Sequence, residues 1–127
     1  MRRKLIIMLV AVLFLASLSA AEQIFVHRVT EGTMKQTQVL LQYIREEKFA
    51  EAIQLAQMLD HAWDKDARML EIMVDHGSTD DVRYAFSRLI AALEEEDSAT
   101  AMVYAGELEG SLEHVYERQA VSVENIL

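Results

Sequence analysis

At 127 residues the chain has room for one domain, and it contains neither cysteine nor proline. The absence of thiols excludes disulfides, thiolate metal sites and cysteine nucleophiles. Twelve Lys and Arg stand against 21 Asp and Glu; Arg2, Arg3 and Lys4 hold three of the cations, so the remainder carries 9 − 21 = −12. A domain of that charge repels phosphate backbones and anionic headgroups, which makes nucleic acid an unexpected partner and proteins with basic patches, or diffusely held cations, the expected ones.

The chain opens with the basic cluster Arg2-Arg3-Lys4, followed by an apolar run from Leu5 to Ala21. That is a positive n-region and an apolar h-region, and the charge holds its end in the cytoplasm, so the remainder is expected outside. Seventeen residues sit at the short end of what spans a bilayer. Ser19-Ala20-Ala21 offers small residues where a signal peptidase reads, with Glu22 as the first mature residue. Nothing breaks the helix beyond it, however, and Ile24, Phe25 and Val26 are able to lengthen the buried stretch. Two fates follow: residues 1–26 form an uncleaved anchor, or cleavage after Ala21 releases a secreted protein. A buried core helix is the third and plainest reading.

Residues 27–127 form the acidic domain. Ala, Leu, Glu, Gln and Met abound, residues that lose least on entering a helix, so the expectation is all-α. From about Thr33, Met34, Leu40, Leu41 and Ile44 fall at helical spacing and predict a first soluble helix ending near Glu47. Next, Phe49, Ala52, Ala56, Leu59, Trp63, Ala67, Leu70 and Val74 form a stripe for one long helix, with a bend allowed near Asp64 to Asp66. His76-Gly77 supplies its stop, through a left-handed C-cap. Ser78 or Thr79 then caps a third helix whose core face is Val82, Ala85, Phe86, Leu89 and Leu93. The last helix starts around Asp97-Ser98 and buries Ala101, Ala105, Leu108, Leu112 and Val115. The chain closes on Val121 to Leu127.

Slid against itself by 49 residues, the chain shows an internal echo: residues 40–63 lie over 89–112 with seven identities in 24 positions. Both segments read as a helix, a turn at an acidic pair (Glu46-Glu47, Glu95-Glu96) and a second helix with small Ala residues at the approach. Two antiparallel hairpins packed as a four-helix bundle account for this. Lys48-Phe49-Ala50-Glu51-Ala52 resembles the second helix of a tetratricopeptide repeat, but the period is too long for one and the first-helix pattern is missing.

Candidate chemistry is sparse. Asp60, His61, Asp64 and Asp66 are the densest group of possible metal ligands, the basis for a ligand- or cation-binding sensory module of the cell envelope as an alternative function; against it, Leu59 and Trp63 mark the buried stripe and turn Asp60 and Asp64 toward water. The residues three before His27, His61, His76 and His114 are Ile24, Met58, Met73 and Ser111, so the Glu-x-x-His pairs of di-iron bundles are missing. No His-Glu-x-x-His, Gly-x-Ser-x-Gly or phosphate-binding glycine loop occurs. Glu94-Glu95-Glu96-Asp97 reads as a helix end and turn, and Gly106-x-x-x-Gly110 is interleaved with acids that deny it the meaning it has in membrane helices. No catalytic residue, cofactor site or enzymatic activity is expected. Trp63, the one tryptophan, reads first as core and otherwise as an interaction anchor. Asn125, Ile126 and Leu127 are the further interaction candidates, apolar in part at a terminus that would normally fray.

In the order and spacing of the basic-apolar start with Glu22, Trp63, Asp75-His76, Asp97, Leu108, Leu112 and the closing Glu124-Asn125-Ile126-Leu127, the chain resembles an uncharacterised bacterial family, number four-three-six-three among the domains of unknown function. Its members are small helical proteins of Gram-positive spore-formers with an N-terminal membrane segment. The resemblance implies membrane anchoring and an all-helical domain, and no activity. The sequence thus predicts a membrane-anchored extracytoplasmic helical adaptor contacting another envelope protein.

Overall fold

The computed structural model describes the backbone of residues 1–73 and 76–126 and the side chains of residues 1–71 and 77–117. Four helices fill it, α1 (Arg2–Arg45), α2 (Phe49–Met73), α3 (His76–Glu94) and α4 (Ser98–Ile126), with no strand among the described residues. Short turns at 46–48 and 95–97 make the helices they join antiparallel. α1 packs on α2 and α4, and α3 packs on the same two, so the four close into a ring. Closure through α1 and α4 makes this a bundle; an open stack of tetratricopeptide-like hairpins would leave those helices apart.

The predicted stripes form the core. Leu40, Leu41 and Ile44 of α1, Ala52, Ala56, Leu59, Trp63, Ala67 and Leu70 of α2, Val82, Ala85, Phe86, Leu89 and Leu93 of α3, and Ala101, Ala105, Leu108, Leu112 and Val115 of α4 are all buried. Alanine at seven of the core positions of α2, α3 and α4 lets helix backbones approach closely, while Trp63, Phe86 and the leucines fill the space between.

α1 differs from the expectation. There is no second helix beginning near Thr33: one 44-residue helix runs from the basic cluster to the first turn, because neither proline nor a packing constraint interrupts it and Gly32 is tolerated in its interior. Its core face also reaches further back. Val26 and Thr30 are each 1% exposed and Thr37 is fully buried, so Phe25 and Val26, read above as an extension of the membrane stretch, belong to the bundle. Threonines enter this core at little cost because each hydroxyl donates to a carbonyl one turn back, Thr30 to Val26 at 2.8 Å and Thr37 to Thr33 at 2.8 Å.

At the other end of α2, Gly77 lies inside α3 and does not terminate the preceding helix, and Ser78 and Thr79 are buried helix residues of α3 and not its exposed cap. α3 starts at His76, ahead of the position at which Ser78 or Thr79 would cap it, and helix boundaries are what apolar spacing fixes least. His76 is helical in backbone; its side chain, with Val74 and Asp75, lies outside the described residues.

The 49-residue echo is present down to individual hydrogen bonds. In the first turn the N–H groups of Glu46, Glu47 and Lys48 donate to the carbonyls of Gln42, Ile44 and Tyr43 at 3.0, 3.1 and 2.9 Å. In the second, Glu95, Glu96 and Asp97 donate to Ala91, Leu93 and Ala92 at 3.2, 3.0 and 3.1 Å. This is the Schellman pattern, and its left-handed residue is Glu47 (φ 56°) in one turn and Glu96 (φ 53°) in the other. Glycine usually holds that position, and an L-residue there costs about 1 kcal/mol or more.

Candidate functional site

The acidic group proposed as a ligand site lies on the outer face of α2, next to α3. Asp60, His61 and Asp64 line a shallow groove with Gln57, Arg83 and Ser87. Asp66 is not part of it, since two residues past Asp64 the helix has turned it away. The side chain that organises the groove is Arg83, which the sequence reading passed over. Rooted in α3 and 30% exposed, its guanidinium meets Asp64 at 3.3 Å and Glu71 at 3.0 Å across the interface, and Asp80 at 3.1 Å on its own helix. It thus cross-links α2 to α3 and already supplies the positive charge that the carboxylates ask for. Partial burial, then repulsion from Asp64, pushes the Asp60 carboxyl above its usual range. Among the described residues no three His, Asp or Glu side chains are placed to hold a metal ion together.

Trp63, a candidate interaction residue from the sequence, is a core residue. It is 1% exposed, and its indole N–H donates to the Thr79 carbonyl of α3 at 3.4 Å. A polar tip satisfied inside the bundle is what permits so large a ring to be enclosed. The side chains of Asn125 and Ile126, and Leu127 altogether, lie outside the described residues.

A second region gathers where α1 enters the bundle. Gln38 donates to Glu109 at 2.6 Å, and the His27 ring lies 4.9 Å from that of Tyr116, contacts that fix α1 and α4 in antiparallel register. His27 and Lys35 both reach Glu31, at 3.0 and 3.7 Å. Ile24, Arg28 and Tyr116 line the open groove between them. Below it, Leu5 to Leu15 project in every direction with large side chains 57–69% exposed, and the first helix is long and apolar enough to cross a membrane.

A model of the family described as Domain of unknown function (DUF4363) matches residues 21–126. The chain belongs to this family. Its matched span begins at the last residue of the apolar run, and so comprises the bundle. No curated protein and no solved structure matches the chain.

Proposed function

We propose that this protein is a membrane-anchored, extracytoplasmic helical module that binds another protein of the cell envelope and has no catalytic role. The observation that carries the reading is the continuity of α1: an apolar segment exposed on all sides passes without a break into a helix whose Val26, Thr30, Thr37, Leu40 and Ile44 are core. An apolar surface of that extent has no place in water, and a bilayer is the solvent that accepts it. The basic cluster at its start favours an inside N-terminus and an outside bundle. Anchoring is favoured over release because no helix breaker separates the apolar run from the bundle: α1 passes through Ser19-Ala20-Ala21 without interruption. At the far end, the two turns expose Glu46, Glu47, Glu94, Glu95, Glu96 and Asp97 together, a surface suited to a basic partner.

Fractionation with intact-mass measurement of the mature protein tests this. The expected result is a full-length chain that resists carbonate extraction from membranes; a soluble chain beginning at Glu22 overturns anchoring. Crosslinking in intact cells from positions 46 and 95 is expected to recover one protein above a scrambled-surface control. The alternative, a cation-binding sensory module built on Asp60, His61 and Asp64, has less support, because Arg83 occupies the space between the carboxylates. Calorimetry with calcium, magnesium and zinc is expected to show no saturable heat, and saturable heat abolished by His61→Ala would revive it.

A further inference from the structure

The distance between the apolar segment and the first core residue is short, and no flexible joint lies within it. Val26 follows Ala21 by five residues of unbroken helix, about 7.5 Å of axial rise. A headgroup layer is about 5–7 Å deep on each side of a hydrocarbon core of about 30 Å. Since the run from Leu5 to Ala21 measures only about 25 Å as a helix, it draws the next residues toward the lipid and leaves none to spare as a spacer. A bundle that already encloses Val26 therefore has its base at the level of the headgroups.

The side chains found at that level suit the position. Ile24 is an apolar residue 60% exposed although neighbours on its helix are in the core. Arg28 stands one turn above it on the same face, exposed, with no carboxylate partner among the described residues; the nearby Glu31 is taken by His27 and Lys35. Tyr116 of α4, 42% exposed, closes the same groove. An aliphatic group lowest, then an arginine able to bend its charge to a phosphate, with a tyrosine beside it, is the order found where proteins meet a bilayer surface.

Resting on the anchored reading above, we infer that the base of the bundle is seated in the headgroup layer from which α1 emerges, with Ile24 at the acyl boundary and Arg28 against a lipid phosphate. The tether enforces the contact, so it does not require anionic lipid, which the acidic domain would repel.

The lack of native cysteine permits single-site nitroxide labelling of the full chain reconstituted in phosphatidylcholine vesicles. Labels at Leu13→Cys, Ile24→Cys and Val103→Cys, all at exposed positions, are compared by relaxation from oxygen, which partitions into lipid, and from a nickel chelate, which stays in water. The label at position 24 is expected to be several-fold less accessible to nickel than the one at 103, with position 13 the most protected. Adding Arg28→Glu is expected to move the label at 24 outward, and Arg28→Lys to leave it in place. If positions 24 and 103 are equally wet while 13 is protected, the bundle stands clear of the membrane and the inference falls. If position 13 is wet as well, the anchored reading falls with it. Spin–spin broadening at position 24 would assign that surface to a second copy, and an unchanged depth with Arg28→Glu would remove the phosphate contact.

Discussion

The two hairpins related by the 49-residue shift share a backbone and differ in how each corresponding position is satisfied. Thr30 and Thr79 correspond and both are buried, so the correspondence extends beyond the segments that look alike in sequence. Trp63 of the first hairpin stands where the second has Leu112, and Thr37 where it has Phe86, all four buried. At these two pairs of positions the larger side chain stands on α2 or α3 and the smaller on α4 or α1. Lys48, which opens α2, corresponds to Asp97, which opens α4, yet only Asp97 accepts from the Thr100 N–H, at 3.1 Å, and from its hydroxyl, at 2.6 Å. Asp60 corresponds to Glu109: the glutamate accepts a hydrogen bond from Gln38, whereas the aspartate is half-buried beside another acid. One backbone plan therefore tolerates unequal local chemistry, because the Schellman turns and the shared Ala positions set its geometry.

The largest test of that inequality is Trp63→Ala. It is expected to cost about 3–5 kcal/mol in urea unfolding, since a large filled volume is vacated between α2 and α3 and the hydrogen bond from the indole to the Thr79 carbonyl is lost. An unchanged midpoint would mean that the bulk at α2 and α3 is not what holds the halves together. Next come the left-handed glutamates. Glu47→Gly and Glu96→Gly are each expected to stabilise by about 1 kcal/mol, and equally, because φ differs by only three degrees between them. A gain at one turn alone would show that the turns are alike in geometry and unlike in strain.

The caps should separate the hairpins in the opposite sense. Asp97→Ala is expected to lower the melting temperature by roughly a few degrees, while Lys48→Asp, which places a cap three residues before Glu51, should raise it by a similar amount. Differential scanning calorimetry of both variants reads this directly, and a loss on Lys48→Asp would show that its ion pair with Glu46 matters more than the missing cap.

The smallest expected effect is electrostatic. Burial and Asp64 raise the Asp60 pKa, so the folded state holds its proton to higher pH than the unfolded chain does, and stability falls as pH rises from about 3.8, the ordinary value of an aspartate, through the folded value. Asp60→Asn should therefore raise the melting temperature slightly at pH 7 and leave it unchanged well below pH 3.8, where Asp60 is protonated in both states; Glu109→Gln, at the partnered position, should bring no such gain. Equal gains from both would cancel the distinction drawn between these two acids.

Much of this bundle was readable from hydrophobic spacing, because a stripe of Leu, Ala and Trp at intervals of three and four has one way to be buried. Thr30 and Thr37 escaped it, since a hydroxyl satisfied by its own helix buries without looking apolar in sequence; Ser78 and Thr79, also buried, read in sequence as a helix cap. Arg83 escaped for another reason. Its partners Asp64, Glu71 and Asp80 are spread over two helices, and only their packing brings them to one guanidinium. Asp60, His61 and Asp64 line one groove, and the cation among them comes from a different helix.

The unbroken α1 also has a mechanical meaning. A force applied along the apolar segment meets no hinge in which to dissipate, since the helix is unbroken from Arg2 to Arg45. It is carried as shear through the buried face of α1, which includes Val26, Thr30, Thr37 and Leu40. With the hydroxyls of Thr30 and Thr37 turned back on their own helix, side-chain hydrogen bonding from these two does little to latch that face. There the register of α1 rests on packing and on the ring contact of His27 with Tyr116, and farther along on the hydrogen bond from Gln38 to Glu109.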